Sequence, residues 1–350
     1  MADEHVVRFE PVGIEITVTE DQTILRAAAE HGIQLMHGCK EGQCAACKSF
    51  VLEGDDIELD RYSTFALPDY EREEGLTLLC RAHVYEDVVI ELLNYDEEII
   101  RGGLPLRRGT AELVANEPVT HDMRHVVLRL SEPGFQYFPG QYIDLTAPGA
   151  TESRSFSMAN PPRRDGRVEF VIKVYPGGLF SSYLAERAQI GDVVGFEGPF
   201  GTFTLRESHT GDLVFVAGGA GLAPVLGLLR SMAERGVERR ATFYYGVRTR
   251  ADLCFETDLA ELATKLPGFR YVPALSDAPT DGQWDGETGL ITEVVRRREP
   301  DLAGRDAYLC GPPPMVEAAI PLLQQLGVRP ADIFYDKFTT TGETEGEDGP

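Results

Sequence analysis

The sequence predicts three domains of different class: a small mixed unit of strands and one helix around a cysteine loop, an antiparallel β-barrel, and a parallel α/β sheet. Three observations predict it. Four cysteines gather at positions 39, 44, 47 and 80. From about residue 109 short strands recur between Pro and Gly turns, and from Asp212 the hydrophobic pattern alternates between buried strands and helices. A chain of 350 residues is also too long for one ordinary core. The expected divisions are 1–98, a linker over 99–108, then 109–208 and 209–338, and a disordered acidic tail over 339–350.

In the first division, residues 4–10 and 13–18 alternate as strands around Pro11-Val12-Gly13. A helix follows, capped by Thr23, with Ile24, Leu25, Ala28 and Ala29 on its apolar side. After the cysteine loop come strands at Lys48–Leu52 and near Leu76–Cys80 and Val88–Leu92. Cys39, Cys44 and Cys47 stand at C-x4-C-x2-C, with Cys80 further on, the plant-type [2Fe–2S] spacing. Four thiolates serve two irons, each held tetrahedrally by sulfur, and Gly38 and Gly42 suit a loop that wraps such a group. Zinc ribbons usually pair two C-x2-C knuckles, and only one such knuckle is present. The four cysteines are therefore the expected metal ligands. The order of elements over roughly 1–95 resembles the β-grasp of plant-type ferredoxins, and the segment resembles the N-terminal domain of bacterial oxygenase reductases.

Charge is uneven along the chain. Of the net −24, residues 1–100 carry −16, and the segment after Phe338 adds four acids and no base. Such a balance disfavours nucleic acid or an anionic membrane as partner, and it suits an acidic docking face on the first domain. No stretch is long and apolar enough to cross a bilayer, and the acidic start is unlike a secretion signal. A cytoplasmic location, monomeric by itself, is the expectation, with Cys254 and Cys310 as buried thiols.

The second division reads as strands at Thr110–Ala115, Met123–Leu130, Gln141–Thr146, Val168–Val174 and Asp192–Glu197. In the third, the apolar strand 213–217 meets Gly218-Gly219-Ala220-Gly221 and then a helix over Ala223–Glu234. Strands at 242–247, 270–275 and 306–310 alternate with helices at 256–264, 290–298 and 313–325, which demands right-handed crossovers and a parallel sheet.

Several short motifs in these two divisions resemble the ferredoxin reductase superfamily. Phe138-Pro139-Gly140-Gln141-Tyr142 and Gly198-Pro199-Phe200-Gly201 resemble its barrel turns. Arg154-Ser155-Phe156-Ser157 resembles its R-x-Y-S flavin motif, with Phe in place of the usual Tyr. The resemblance implies that Arg154 pairs with the flavin pyrophosphate, Phe156 lies against the isoalloxazine and Ser157 faces N5. Lys173, Gly177, Gly178, Leu179, Ser181 and Ser182 read as strand, glycine turn and helix start, whose amides point at a phosphate. FAD is the flavin implied by resemblance to the branch with an N-terminal cluster.

Gly218, Gly219, Ala220, Gly221 and Pro224 form a turn after a buried strand, resembling the G-G-x-G-x-x-P nucleotide turn. Cys310-Gly311-Pro312-Pro313-Pro314-Met315 resembles the C-G-P-P-x-M turn, which implies that Cys310 lies beside the nicotinamide C4. Phe338, in Phe334-Tyr335-Asp336-Lys337-Phe338, resembles the C-terminal aromatic that shields the flavin; a packed core Phe is the other reading. Cys310, Ser157 and Phe338 are thus the implied catalytic residues. Asp277, in the place where NADP-selective relatives carry Arg, would repel a 2′-phosphate and accept from a free ribose hydroxyl, favouring NADH, while Arg248 and Arg250 stand nearby.

The three domains line up in the order cluster, flavin, nucleotide. This resembles the NADH-dependent reductase component of a bacterial multicomponent monooxygenase, of the methane, propane, phenol and toluene group. It implies electron flow from NADH through FAD and [2Fe–2S] to a hydroxylase component. A Rieske-type dioxygenase reductase shares every motif. A redox-sensing binding protein and a free-standing flavin reductase are the readings from other classes.

Overall fold

The computed structural model describes residues 3–132, 134–279 and 284–338, so the expected acidic tail over 339–350 lies outside the described residues. Strands β1 (Glu4–Glu10) and β2 (Ile14–Thr19) pair as an antiparallel hairpin. Helix α1 (Ile24–Glu30) follows, its first turn capped by the Thr23 hydroxyl, which accepts from the Arg26 amide at 3.3 Å. Then come β3 (Lys48–Glu53), β4 (Ile57–Leu59), α2 (Asp69–Glu73), β5 (Leu76–Leu78), β6 (Ala82–Val84), β7 (Val88–Leu92) and α3 (Glu97–Arg101).

The sheet order is β2-β1-β7-β3-β5, with β7 parallel to β1 and the other pairings antiparallel. Alternate residues Val7 and Phe9 on β1 and Val88 and Ile90 on β7 are buried with Ile24 and Ala28 of the helix, so one sheet face and one helix stripe close a core. Part of the expected linker is ordered: Asp96 caps α3 by accepting from the Glu98 and Ile99 amides, and Ile100 is fully buried in this core. A buried isoleucine and a satisfied cap are what hold a charged stretch in place.

By its contacts the chain divides into two compact units, one running to Arg107 with the segment Pro199–Thr202, the other holding Arg108–Gly198 and everything from Phe203. The barrel and the parallel sheet therefore share the second unit.

In that unit, apart from Arg107 and Pro199–Phe200 at two strand ends, β8 (Arg107–Pro118), β9 (Met123–Leu130), β10 (Tyr142–Thr146), β11 (Ser153–Ser157), β12 (Arg167–Lys173) and β13 (Val193–Phe200) build a sheet of order β11-β10-β13-β8-β9-β12, with α4 (Leu179–Glu186) between β12 and β13 in the chain. An antiparallel bridge from Met158 to Phe170 ties its two edge strands together and closes the barrel.

The remaining elements are β14 (Leu213–Gly218), α5 (Leu222–Arg235), β15 (Ala241–Val247), α6 (Glu256–Lys265), β16 (Arg270–Leu275), β17 (Glu287–Thr288), α7 (Ile291–Arg298), β18 (Asp306–Gly311), α8 (Pro313–Gln325) and β19 (Ile333–Lys337). All six strands run parallel in the order β17-β16-β15-β14-β18-β19. Strand alternation feeds two cores. Leu213, Phe215, Ala217, Tyr308 and Cys310 enter one, Val214, Val216, Ala307 and Leu309 the other. The first of these cores also takes Met123, Ala159, Val171 and Phe203 from the barrel.

Candidate functional site

The cysteine loop lies between α1 and β3. Lys40, Gly42 and Ala45 hold φ values of 59°, 69° and 57°, a run of left-handed turns that aims amides inward. The Glu41 and Gln43 amides donate to Cys39 Sγ at 3.4 and 3.3 Å, and the Cys39 amide donates to Cys44 Sγ at 3.4 Å. A Cβ on Gly42 would stand 2.7 Å from that of Tyr62, so this turn excludes side chains.

The sulfurs fall into two hydrogen-bonded pairs, Cys39 with Cys44 and Cys47 with Cys80. The bond from Cys44 lowers the Cys39 thiol to about 6, and the bond from Cys80 lowers that of Cys47; the partners Cys44 and Cys80 are pushed up in turn. Two sulfur pairs under inward-facing amides are what two irons require, and amide donors stabilise thiolate charge. The residues present fit a [2Fe–2S] group.

On β11, alternation separates Arg154 and Phe156 from Ser155, whose hydroxyl donates to Asp144 at 2.6 Å on the opposite face. Only the backbone of Ser155 remains for a ligand lying on the Arg154 side. The Phe156 ring stands 5.1 Å from that of Phe180 in α4, which brings the two flavin motifs together across some 20 residues of sequence. Helix α4 starts at Gly178 with no side-chain cap, so no side chain satisfies the positive end of its dipole.

A Cβ on Gly178 would strike Ser181 Oγ at 2.4 Å, and that hydroxyl accepts from the Tyr175 amide at 3.3 Å. Leu179 is exposed, the Ser182 amide donates to the Gly178 carbonyl, and Lys173 pairs with Asp122 at 2.9 Å. Arg154 is half-buried and pairs with Glu152 at 2.9 Å, and this arginine, the Phe156 ring and the uncapped start of α4 are groups that suit a flavin nucleotide with its phosphates.

In the parallel sheet the connections reverse direction between β14 and β18, the crevice in which open α/β sheets take ligands. The glycine turn after β14 and the Cys310 turn after β18 meet there: a Cβ on Gly218 would lie 2.9 Å from Met315 Sδ. Gly219–Gly221 form one 3-10 turn ahead of α5, with Ala220 half-buried and Pro224 buried in the first helical turn. The Tyr245 hydroxyl donates to the Gly219 carbonyl at 3.0 Å, a support that sequence reading did not single out. Pro312 opens α8, so a second helix start faces the crevice.

Cys310 is fully buried on the sheet face that packs against the barrel, and burial, with the Asp336 charge, pushes its thiol up. The Phe338 amide donates to the Gly311 carbonyl at 2.9 Å, and its ring packs against the same core. Ser157, buried, ends β11 two residues before Ala159 of that core. Asp277 is exposed at the end of β16, its amide donating to the Arg248 carbonyl at 2.8 Å.

Asp336 is the residue the sequence reading missed. It is the register partner of Cys310 across β18 and β19, and burial pushes its carboxyl up to about 7. Its signal lay inside Phe334–Phe338, read there for the aromatic alone.

An iron–sulfur loop, a flavin barrel and a dinucleotide sheet in one chain define an iron–sulfur flavoprotein oxidoreductase. Residues 7–85 match the family described as 2Fe-2S iron-sulfur cluster binding domain, 110–205 the oxidoreductase FAD-binding domain, and 215–320 the oxidoreductase NAD-binding domain. The chain is 50% identical over 344 residues to the propane 2-monooxygenase reductase component of Rhodococcus jostii (strain RHA1), covering 97% of this chain and 93% of the relative. It is 38% identical to the phenol 2-monooxygenase reductase component of Pseudomonas sp. (strain CF600), covering 97% and 96%. Among solved structures, the Amycolatopsis cytochrome P450 reductase GcoB superposes with a TM-score of 0.86 at 33% identity, covering 96% of this chain and 99% of that one. The chain belongs to the family of reductase components of multicomponent monooxygenases. Its cofactors are a [2Fe–2S] cluster, FAD and NAD, and no helix among the described residues is long and apolar enough to cross a membrane.

Proposed function

We propose that this chain supplies electrons from NADH to the hydroxylase component of a propane-oxidising type of monooxygenase, acting as a cytoplasmic monomer. The observation that supports it most directly is the shared core of Cys310 and the barrel: the nucleotide crevice opens on the sheet face that packs against the flavin domain. With its groups bound, the chain's chemistry is to take electrons as a pair and release them singly, since a nicotinamide delivers two and a [2Fe–2S] group accepts one.

The residues' work is placement. The glycine turn and the Cys310 turn hold the dinucleotide, with Asp277 accepting from the ribose. Arg154 and the start of α4 hold the flavin phosphates, with Phe156 against the ring. Ser157, Cys310 and Phe338 would border the place of hydride transfer, with Phe338 as the aromatic that would shield the flavin. Cys39, Cys44, Cys47 and Cys80 hold the iron.

An anaerobic NADH titration of the loaded protein, followed by visible absorbance and electron paramagnetic resonance, counts both sets of electrons. The expected result is reduction of a yellow prosthetic group and of one cluster. Two bound irons with no flavin would overturn the reading. Cys44→Ser should abolish cytochrome c reduction and spare ferricyanide reduction. NADH-driven turnover with purified hydroxylase of the propane type, against a Rieske-type oxygenase, identifies the acceptor.

A further inference from the structure

We propose that Phe65 is the apolar centre of the surface on which the iron–sulfur unit receives its electron acceptor, an oxygenase component presenting an apolar notch rimmed by Lys and Arg. The proposal rests on the reading above that such a component is the acceptor. Phe65 is 86% exposed, the most exposed large hydrophobic side chain among the described residues. Water gains nothing from that arrangement, and its neighbours show that the ring is held out rather than adrift. Ala66 and Leu67, next along the chain, are 2% and 0% exposed, so the loop is pinned immediately behind it. The Ser63 hydroxyl accepts from the Phe65 amide at 3.3 Å, and the Ser63 carbonyl accepts from the Ala66 and Leu67 amides.

The same Ser63 fixes the ring's position relative to the metal ligands. Its amide donates to the Gly42 carbonyl at 3.0 Å, in the middle of the cysteine loop. Phe65 is thus two residues from a direct bond to the chain that wraps Cys39 and Cys44. A second exposed ring, Tyr70 at 63%, stands on α2 nearby in sequence.

The surround is acidic. Residues 53–75 hold nine Asp or Glu against Arg61 and Arg72, and on α2 Glu71 pairs with Lys48. An exposed aromatic anchor in a predominantly acidic segment is the composition of a protein-docking centre, with the acids steering approach and the aromatic side chain supplying the desolvated contact. The sign of that charge selects a basic partner and repels anionic lipid or nucleic acid.

The test uses full-length protein loaded with FAD and cluster, as wild type, Phe65→Ala and Phe65→Trp, with the purified hydroxylase component of a propane 2-monooxygenase. Phe65→Ala should raise the KM for the hydroxylase at least tenfold, and Phe65→Trp should restore most of it. NADH-driven ferricyanide reduction and the stopped-flow rate of cluster reduction by NADH should stay within twofold of wild type. Raising salt should increase the KM of wild type and of Phe65→Ala alike. A KM unchanged by Phe65→Ala would overturn the proposal. So would slowed cluster reduction by NADH, which would assign the loop to transfer within the chain. If the underlying reading fails instead, wild type itself shows no NADH-driven turnover with the hydroxylase.

Discussion

A Cβ placed on Gly221 would lie 2.1 Å from the Cys310 carbonyl oxygen and 3.0 Å from the Gly311 Cα. Two turns separated by about 90 residues of chain thus touch backbone to backbone at the head of the nucleotide crevice. No side chain can stand between them, and the contact explains why glycine ends this turn even though its φ is an ordinary one.

Gly221→Ala must push the β14 and β18 turns apart, and overpacking of this kind costs about 1–3 kcal/mol. The displacement falls on the two turns proposed to hold the dinucleotide. The KM for NADH in ferricyanide reduction should rise at least tenfold, with the melting temperature lowered and the visible spectra of flavin and cluster kept. A KM within twofold of wild type would show that the crevice can open without loss.

Asp277→Arg tests the nicotinamide preference. Asp277 stands exposed beyond β16, its backbone amide donating to the Arg248 carbonyl, so the carboxylate is left to solvent, where it would repel a 2′-phosphate and, in the proposed role, accept from a free ribose hydroxyl. Exchanging a repulsion for a bidentate partner should move the ratio of kcat/KM for NADPH over NADH upward by about 10–100-fold. Steady-state assays with both donors read it directly. An unmoved ratio would place the ribose elsewhere.

Much of this was legible from the sequence because the pieces concerned are local. C-x4-C-x2-C, the glycine run after an apolar strand, and alternating strand and helix periods each occupy a few consecutive residues. What stayed hidden depends on partners distant in sequence. Asp336 matters through its register with Cys310, and α3 is ordered because Ile100 finds a core made by residues before position 93. The division into compact units is of the same kind, for no stretch of sequence says that Met123 and Val171 of the barrel will be buried with Phe215 of the sheet. Short elements such as β4, β6 and β17 carry two or three residues each and have no period to read.

Arg230 of α5 reaches across the second unit, donating to the Ala159 carbonyl at 3.0 Å and to Glu169 of β12 at 2.9 Å, and pairing with Asp258 at 2.7 Å. Burial alone would raise the Glu169 carboxyl, but the bond from His125 and the Arg230 guanidinium outweigh it and hold the group at about 2. A depressed carboxylate stabilises the fold above its unfolded value of 4.5, and that stability is lost as the pH falls towards 2. The full effect is about 3 kcal/mol. Arg230→Met should therefore lower the melting temperature at pH 7 and flatten its decline between pH 5 and about 2.5. An acid limb as steep as in wild type would mean that Arg230 does not hold Glu169 ionised.

Asp336 should show the opposite slope. Its side chain is half-buried, yet its carboxyl sits where burial alone pushes it up to about 7. A carboxyl raised in the folded state keeps its proton after the unfolded chain has released it, so the folded state loses ground as the pH climbs from about 4 to about 7 and is then level. Asp336→Asn removes that titration while keeping the shape. Its melting temperature should match wild type near pH 4, exceed it at pH 8, and leave the difference between the two proteins growing through that interval. Because Asp336 lies opposite Cys310 in register, the same substitution should alter the pH profile of NADH-driven ferricyanide reduction near pH 7 more than it alters the KM for NADH. Parallel melting curves across the whole range would show that the carboxyl is ionised in the folded protein, with water reaching it beside Cys310.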